Sequence, residues 1–543
     1  MYKRIIFFYL IIFILLSIHG KSQQWIRIFT GDTNFQGYRI IESYDKGYLI
    51  AGDKELSTMH CSGWVVKTDI NGFRLWEKSL GDSLGWTAFS SITMTGNGEI
   101  TLIGDIAING FFGPHDPFIV KLNPCGEKQW CKIYDAPNPY GYGYDIISVP
   151  GGEYMALFIN WVNWVPGDLD KPVWLFRLDE NGDIIWQQYY PQDSIFWGTT
   201  VFRINWAPDS TVVLTGHSYT PNPVQAGPVW LRPLIAKVDT DGNSVFELSW
   251  GRTSYLVGTA YSSIQDLKGN IFTAGDFARP SPPYGVSPCL LKTSTNGNEI
   301  FNKALKDSTE SSGAGVLAWF QDSTMIINGV WKGLSAGDTS INGVFKTDTL
   351  GNIILENELF WSDRGFMDCI STFDNKVLMV GPFINFPYFQ TIMVKLNSNL
   401  EYDSAYTRPF TYDSLCPYPI ASDTILLDDC EVVVDIDEPI KNPEKTELKI
   451  FPNPASQKTT IELPEYLVRV SGGFGFSATT IYHQWKDVRL EVFDLFGKLI
   501  FSETVPQHKN SVSLHVSSWS PGMYLARIVF MNEVVAREKF VIN

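Results

Sequence analysis

The alternation of hydrophobic and polar positions repeats along most of the chain. The stretch VKTDINGFRLW (66–76) is an apolar strand carrying a basic residue, followed by a polar turn and a large aromatic residue. Copies begin at residues 120, 176, 236, 291, 345 and 394. Their basic residues are Lys67, Lys121, Arg177, Lys237, Lys292, Lys346 and Lys395, at intervals of 49 to 60 residues. Seven units at such a period predict a repeat architecture.

Each unit contains two further candidate strands ahead of this stretch. One is apolar and enters through a tight turn, as in DKGYLIAG (45–52) and GNGEITLIG (96–104). Before it lies a strand that opens on or near a glycine, a residue that allows backbones to approach closely around a central channel. These glycines are Gly37, Gly85, Gly143, Gly198, Gly258, Gly315 and Gly365. Four short strands repeated seven times predict an all-β, seven-bladed β-propeller over residues 25–410.

One short segment, WIRIF (25–29), is an additional copy of the fourth strand and precedes the first complete unit. We expect it to pair into the last blade and close the ring, since a propeller that is left open would expose strand edges.

The polar turn of the repeat is first interpreted as structural. Asp-x-Asn-Gly at 69–72 supplies the φ > 0 positions that a tight hairpin needs. The large residues that follow would then pack between blades; they are Trp76, Trp130, Trp186, Phe246 and Phe301.

Three site interpretations of the same turn remain open. Asp239-Thr240-Asp241-Gly242 begins like a calcium loop but lacks a downstream bidentate Glu. The repeat is similar to the docking motif of pyrroloquinoline-quinone propellers, although it lacks one residue between Asp and Gly. It also partly matches the Asp-box of sialidases, without an accompanying set of catalytic residues. The sequence identifies no cofactor.

The long connections predict where a ligand would bind. Connections between second and third strands, and between blades, lie on one face of a propeller, and here they are long, aromatic and rich in proline. We call this the long-loop face. The predicted binding residues on it are Phe112, His115, Tyr142, Trp161, Trp164, His217, Trp230 and Tyr284. Such side chains stack on sugars or anchor a protein partner.

Three histidines, His60, His115 and His217, are predicted to lie in loops of this face. With Asp116 they raise the hypothesis of a metal or acid–base cluster, although none of them has ligand spacing along the chain.

The first residues predict export. Lys3 and Arg4 precede an apolar run from Ile5 to Ile18, and small residues follow. This is typical of a secretory signal peptide over residues 1–22, and fourteen apolar residues are short for a membrane span. A formal charge of −16 with 18% charged residues disfavours a nucleic-acid partner. We expect no transmembrane anchor in the mature chain.

Seven cysteines in an exported chain favour disulfides over metal sites. The candidates are Cys125, Cys131, Cys416 and Cys430, and the pairs that are plausible from closeness in sequence are Cys125 with Cys131 and Cys416 with Cys430. Residues 411–445 are acidic and predict a linker.

The last hundred residues read as alternating strands broken by Pro- and Gly-containing turns, which predicts a small Ig-like β-sandwich over 446–543. Their motifs resemble the type A C-terminal sorting domain of the Bacteroidota type IX secretion system. The resemblance rests on Pro452-Asn453-Pro454-Ala455, on the turn at 494–498 with Gly497, and on Pro521-Gly522-Met523-Tyr524. Residues 464–487 are longer than the connection usual in that family, and we expect an extended hairpin there.

The resemblance implies the route of the protein: export to the periplasm, recognition by the type IX machinery, and attachment to the outer-membrane surface or release. The leading hypothesis is a noncatalytic propeller that binds an extracellular glycan or protein. The alternatives are an extracellular hydrolase, lyase or quinone-dependent dehydrogenase, and a structural surface protein with no discrete ligand.

Overall fold

A computed structural model gives the architecture of most of the chain, and the described residues form strands and turns. The structure describes residues 25–57, 60–81, 85–107, 114–134, 141–160, 173–190, 199–220, 230–250, 258–278, 286–306, 311–321, 323–332, 340–361, 365–385, 388–433, 448–462, 489–494, 498–505, 511–530 and 533–543. Of the described residues, those from 25 to 433 and those from 448 to 543 belong to separate compact units.

The first unit is a seven-bladed β-propeller, as predicted. Within the described residues blades 1 to 6 each have four antiparallel strands in sequence order from the channel outward. The strands of blades 1 to 3 are β2 (Phe35–Glu42), β3 (Tyr48–Ser57), β4 (His60–Thr68), β5 (Arg74–Leu80); β6 (Trp86–Met94), β7 (Ile100–Ala107), β8 (Asp116–Leu122), β9 (Lys128–Tyr134); β10 (Gly141–Ser148), β11 (Tyr154–Asn160), β12 (Val173–Leu178), β13 (Ile184–Tyr190).

The remaining blades repeat this order, and blade 7 takes its outermost strand from the start of the chain. The strands of blades 4 to 7 are β14 (Thr199–Trp206), β15 (Val212–Thr220), β16 (Trp230–Val238), β17 (Ser244–Ser249); β18 (Gly258–Gln265), β19 (Ile271–Ala278), β20 (Val286–Thr293), β21 (Glu299–Ala304); β22 (Ser311–Phe320), β23 (Thr324–Lys332), β24 (Ser340–Asp348), β25 (Ile353–Trp361); β26 (Asp368–Ser371), β27 (Val377–Asn385), β28 (Tyr388–Leu396), β1 (Ile26–Phe29). The pairing of β1 with β28, Ile26 opposite Val394, confirms that WIRIF closes the ring.

The repeated turn is a structural element that joins neighbouring blades. Asp69 Oδ1 accepts hydrogen bonds from the backbone N–H groups of Asn71 and Phe73, both at 2.8 Å, and Gly72 has φ +76°. Trp130 of blade 2 lies against Gly182, in the same turn of blade 3. A Cβ added to Gly182 would come within 2.8 Å of the indole. The predicted hairpin turn and the packing of the large residues between blades are both confirmed.

In five blades the basic residue of the repeat pairs with a carboxylate in the turn between the first two strands of its own blade. Lys237 pairs with Asp209 at 2.5 Å, and Lys395 pairs with Asp374 at 3.0 Å. In blade 3 Arg177 also donates to the carbonyl oxygen of Thr240 in blade 4, at 2.9 Å. Blade 3 is therefore joined to blade 4 by this hydrogen bond as well as by the indole of Trp186, which lies against Gly242.

After blade 7 the chain turns back over blade 1. Tyr406 N donates to the side chain of Asn71 (2.7 Å), and Asp413 accepts from Lys67 (2.6 Å), a side chain that is only 1% exposed. We call residues 406–433 the strap. It occupies the end of blade 1 that bears the short turns, opposite the long-loop face.

The strap then follows the outer edges of the first two blades. β29 (Asp423–Ile425) runs parallel to β5, and β30 (Glu431–Val433) runs parallel to β9. Asp423 pairs with Lys78 at 2.6 Å, and Leu427 is buried. The acidic segment predicted as a linker is thus attached to the propeller over 411–433, because its carboxylates meet lysines on the outer strands.

Two disulfides fasten the strap, and their pairing differs from the expectation. Cys125 is bonded to Cys416 and Cys131 to Cys430, across 291 and 299 residues. The prediction of pairs that are close in sequence was wrong, because the strap lies beside blade 2 and brings distant cysteines together. Cys61, Cys289 and Cys369 are buried and lie outside these two disulfides.

The C-terminal unit is a β-sandwich of two sheets. One sheet contains three strands and the other four among the described residues. The strands are β31 (Lys449–Phe451), β32 (Lys458–Glu462), β33 (Arg489–Asp494), β34 (Leu499–Thr504), β35 (Ser511–His515), β36 (Gly522–Phe530) and β37 (Glu533–Ile542). Leu490, Ile461 and Phe540 belong to its buried core. The extended hairpin expected over 464–487 and Gly497 lie outside the described residues.

The Pro-Asn-Pro motif binds the last strand of this sandwich. Asn453 Oδ1 accepts a hydrogen bond from Val541 N at 2.8 Å, and the peptide bonds before Pro452 and Pro454 are cis. Tyr524 packs on Phe540, with ring centroids 5.8 Å apart, and its hydroxyl donates to the carbonyl oxygen of Ser520 (2.8 Å). Gly522 begins β36.

Candidate binding site at the mouth of the central channel

A β-bulge in the innermost strand gives five blades the same local geometry. In blade 1 the register shifts between Gly37 and Arg39, which leaves Tyr38 outside the ladder. The equivalent residues in blades 2 to 5 are Ser90, Tyr144, Phe202 and Tyr261. Four of the five are aromatic and half-buried. They lie near the start of the inner strands, which is the end adjoining the long-loop face.

In blades 1 to 4 the residue after the bulge joins Asp368 of blade 7 in a charged network on the channel axis. Arg39 lies 3.0 Å from Asp145, and Arg203 lies 3.0 Å from Asp368. Ser91 donates to Asp145 at 2.6 Å. These residues come from blades 1, 2, 3, 4 and 7, and side chains of such widely separated blades can touch only near the axis. We call them the axial network.

The buried carboxyls of the network are stabilised by several donors. Asp145 accepts from Ile204 N (2.8 Å), and Asp368 accepts from Ile40 N (3.0 Å). Burial raises the pKa of Asp368 to about 6, while the Arg39 guanidinium opposes that rise. The network forms a polar floor one residue below the aromatic bulge positions.

Carboxyl groups lie beside the aromatic residues at the same end of the channel. They come from the residue that follows a glycine on the second strand: Asp53, Asp105 and Asp276. Tyr38 and the thiol of Cys61 are hydrogen-bonded to Asp53, and Tyr261 is hydrogen-bonded to Asp276. Burial raises the pKa of Asp53 to about 6 and that of Asp276 to about 7.

Blade 2 adds a buried histidine to this arrangement. His115 Nδ1 lies 2.7 Å from Asp105 Oδ2, and Trp86 also hydrogen-bonds that carboxyl. Burial raises the pKa of Asp105, and the His115 side chain opposes the rise. The ring of Tyr142 lies 5.2 Å from that of His115. We call Tyr38, Asp53, Asp105, His115, Tyr142, Phe202, Tyr261 and Asp276 the channel-mouth cluster.

The structure places some of the predicted binding residues in this region. His115 and Tyr142 are in contact within the channel-mouth cluster, whereas His217 packs on Phe202, with ring centroids 5.2 Å apart. His217 lies within β15 and not in a loop, because that strand extends to Thr220. Of Trp230 only the backbone is described, as the first residue of β16. Phe112, Trp161, Trp164 and Tyr284 lie outside the described residues.

The metal hypothesis is not supported where the chain is described. In those parts the one group of three potential ligands consists of Cys131, Cys430 and Asp429, and both of its sulfurs belong to a disulfide. His60 begins β4, and no cluster with His115 and His217 is found among the described residues.

Sequence reasoning missed the carboxyls and most of the aromatic residues of the cluster. A signal was present: the Gly-Asp pairs at 52–53, 104–105 and 275–276 recur at the end of the second strand. The bulge positions could not be found from alternation, because a bulge changes which face a side chain takes.

Comparisons with known proteins bear on the C-terminal unit. Residues 449–543 match the family model described as a secretion system C-terminal sorting domain. A search of curated proteins gave no match. No helix among the described residues is long and apolar enough to cross a membrane.

Solved structures similar to the chain have low sequence identity. The extracellular domain of a putative one component system from B. thetaiotaomicron is 13% identical, with a TM-score of 0.41, over 95% of this chain and 57% of that one. An alpha-L-arabinanase from Penicillium chrysogenum, complexed with arabinobiose, is 11% identical (TM-score 0.36; 56% and 91%). A lignostilbene dioxygenase from Pseudomonas brassicacearum is 12% identical (TM-score 0.39; 73% and 96%). At these scores the likenesses carry no argument.

Proposed function

We propose that this chain, whose residues 449–543 form a type IX sorting domain, is an exported propeller that binds an extracellular glycan at its channel mouth. The sorting domain implies interaction with the type IX secretion machinery and a secreted or cell-surface location. A signal peptide over residues 1–22 would deliver the chain to the periplasm of a member of the Bacteroidota.

The observation that carries the glycan proposal is the combination of half-buried aromatic rings and carboxyl groups in the channel-mouth cluster. Phe202 and Tyr261 stack with ring centroids 5.9 Å apart and an interplanar angle of 29°. Aromatic side chains offer large rigid faces, and neighbouring carboxyl groups and tyrosine hydroxyls exchange hydrogen bonds with hydroxyl groups of a ligand. Sugars present both an apolar face and hydroxyl groups.

The described residues suggest the side from which a ligand would enter the channel. The strap lies on the end of blade 1 that bears the short turns, and the axial network provides a charged floor. A chain of sugars would therefore enter from the long-loop face, with one unit against the aromatic rings and the others over the loops.

A hydrolase is the second candidate, favoured by the same carboxyl groups. Glycoside hydrolysis uses one carboxyl that stays protonated near neutral pH and a second that is ionised. The raised pKa of Asp276 (about 7) fits the first requirement, and Asp53, with a pKa of about 6, is mostly ionised at neutral pH and fits the second. The two residues belong to blades 1 and 5, and their separation decides whether a single glycosidic bond could lie between them.

A glycan array probed with the full exported chain tests the proposal. We expect retention of at least one class of glycan, and we expect the double substitution Phe202→Ala and Tyr261→Ala to lower that signal at least tenfold. Phe73→Ala is the matched control, since this aromatic residue is 59% exposed on a short turn at the opposite face. Equal loss in both variants, or no retained glycan, would contradict the proposal. Cleavage of a retained glycan would favour the hydrolase.

A further inference from the structure

The order of the four bonded cysteines along the chain conflicts with their native pairing. Cys125 is six residues from Cys131, and Cys416 is fourteen residues from Cys430, but the native bonds span 291 and 299 residues. The chance that two points of a flexible chain meet falls as about the −3/2 power of their separation. In the unfolded chain the local pairs are therefore favoured over the native pairs by roughly 100- to 300-fold.

The local bond between Cys125 and Cys131 cannot exist in the folded blade. Cys131 lies within β9, opposite Val120, while Cys125 is in the turn before that strand. From Lys128, where β9 begins, to Cys131 an extended strand rises about 10 Å. A disulfide needs Cα atoms within about 7 Å. The local bond therefore prevents the outer strand of blade 2 from forming.

Loss of β9 also affects the neighbouring blade. The Tyr134 hydroxyl, at the end of β9, donates to the carbonyl oxygen of Gly182 in blade 3 at 2.8 Å. Lys132 forms ion pairs with Asp183 of blade 3 and with Glu431 of the strap. A chain with the local disulfide lacks this joint between blades 2 and 3 and the attachment of β30.

The native partners meet late in assembly. The strap follows blade 7, and blade 7 is complete only when β1 pairs with β28. Cys416 then reaches Cys125 after the strap has crossed blade 1, where Asp413 pairs with Lys67. Thiols that are oxidised before the ring closes find their sequence neighbours first.

We infer that the native protein is the product of a thiol–disulfide isomerisation and that a dithiol exchange catalyst of the exporting compartment is its partner before secretion. A disulfide oxidant first takes two electrons from each local pair, with release of two protons. A catalyst thiolate then attacks a local disulfide, forms a mixed disulfide and releases one protein thiolate. That thiolate attacks the other local disulfide, and the thiolate freed there resolves the mixed disulfide, with no net oxidation.

The full chain, reduced and unfolded in denaturant, is diluted into either diamide, a thiol-free oxidant, or a mixture of reduced and oxidised glutathione. Bonds are identified by mass spectrometry of peptides under nonreducing conditions. With diamide we expect Cys125–Cys131 and Cys416–Cys430 to predominate. With glutathione, which permits exchange, the yield of native pairs rises at least tenfold.

The double variant C125S/C416S is the matched control, because it retains Cys131 and Cys430 and removes one member of each local pair. We expect its native bond to form with the same yield in diamide and in glutathione. Native pairing of the wild-type chain in diamide at the yield of this variant would overturn the inference. Wild-type chains that keep local bonds in glutathione, while the variant reaches its native bond, would overturn it as well.

Discussion

The contact between Trp130 and Gly182 gives a stability prediction that tests how neighbouring blades are joined. Gly182 has φ +79°, and an added Cβ would lie 2.8 Å from the indole of Trp130 and 3.3 Å from Lys132 Cδ. The Gly182→Ala substitution therefore adds a left-handed backbone cost of about 1–2 kcal/mol. It also adds an overpacking cost of about 1–3 kcal/mol. We expect a loss of about 3 kcal/mol.

Gly152 in the same blade separates these two effects. It has φ +87°, but an added Cβ would meet no atom within 4 Å. The Gly152→Ala variant carries the backbone cost and the same change in unfolded-chain entropy, without the clash. Urea unfolding followed by tryptophan fluorescence should place Gly182→Ala about 1–3 kcal/mol below Gly152→Ala. Equal stability of the two variants within about 0.5 kcal/mol would refute packing of the indole against the turn.

Three further predictions concern the strap, the channel mouth and the sorting domain. The substitutions Cys131→Ser and Cys430→Ser should lower the free energy of unfolding by about 3 kcal/mol, because with Cys125–Cys416 intact the lost disulfide closes a loop of about twenty residues. An unchanged free energy of unfolding in denaturant would contradict this prediction. Burial raises the pKa of Asp53 to about 6 and of Asp276 to about 7, so the folded state holds protons that the unfolded chain loses above pH ~4. The melting temperature should therefore fall as the pH rises from about 4 to 7, and Asp→Asn at both positions should flatten the profile; an equally steep profile in the variant would count against the assignment. Deletion of 449–543 should leave a folded propeller in the periplasm, and normal surface display or release of the truncated chain, measured by fractionation, would exclude a sorting role.

The sequence predicted the parts of the fold that repeat. Seven copies of one turn, five of them followed by a large aromatic residue, identify the blades, and the extra strand at Ile26–Phe29 identifies the closure of the ring. These features are local, because turn chemistry and alternation act within a few residues. The same holds for the C-terminal sandwich, where Pro452 and Tyr524 are parts of short motifs.

The strap could not be predicted in the same way. Its β-strands, Asp423–Ile425 and Glu431–Val433, are three residues each and carry little alternation. These strands form only by pairing with strands about 300 residues away in sequence. Without knowledge of their lysine partners, the acidic side chains indicate a solvated linker. The prediction of the disulfide pairing was wrong for the same reason, because a sequence gives only the separation of two cysteines along the chain and not their distance in space.

The sequence predicted only a few residues of the candidate site. His115 and Tyr142 meet in the structure. The other aromatic residues of the channel-mouth cluster, Tyr38, Phe202 and Tyr261, lie at β-bulges, which reverse the expected direction of a side chain. The axial network likewise requires charges from separate blades to meet at one axis. Neither feature has a signature within a single repeat.

Calorimetric titration of the best glycan from the array measures most directly whether the channel mouth binds the ligand. We expect the wild-type chain and the Phe73→Ala variant to have the same dissociation constant. The variant with Phe202→Ala and Tyr261→Ala should bind at least tenfold more weakly. Tryptophan fluorescence checks that this variant is folded. Binding of that variant with the wild-type dissociation constant would contradict the account.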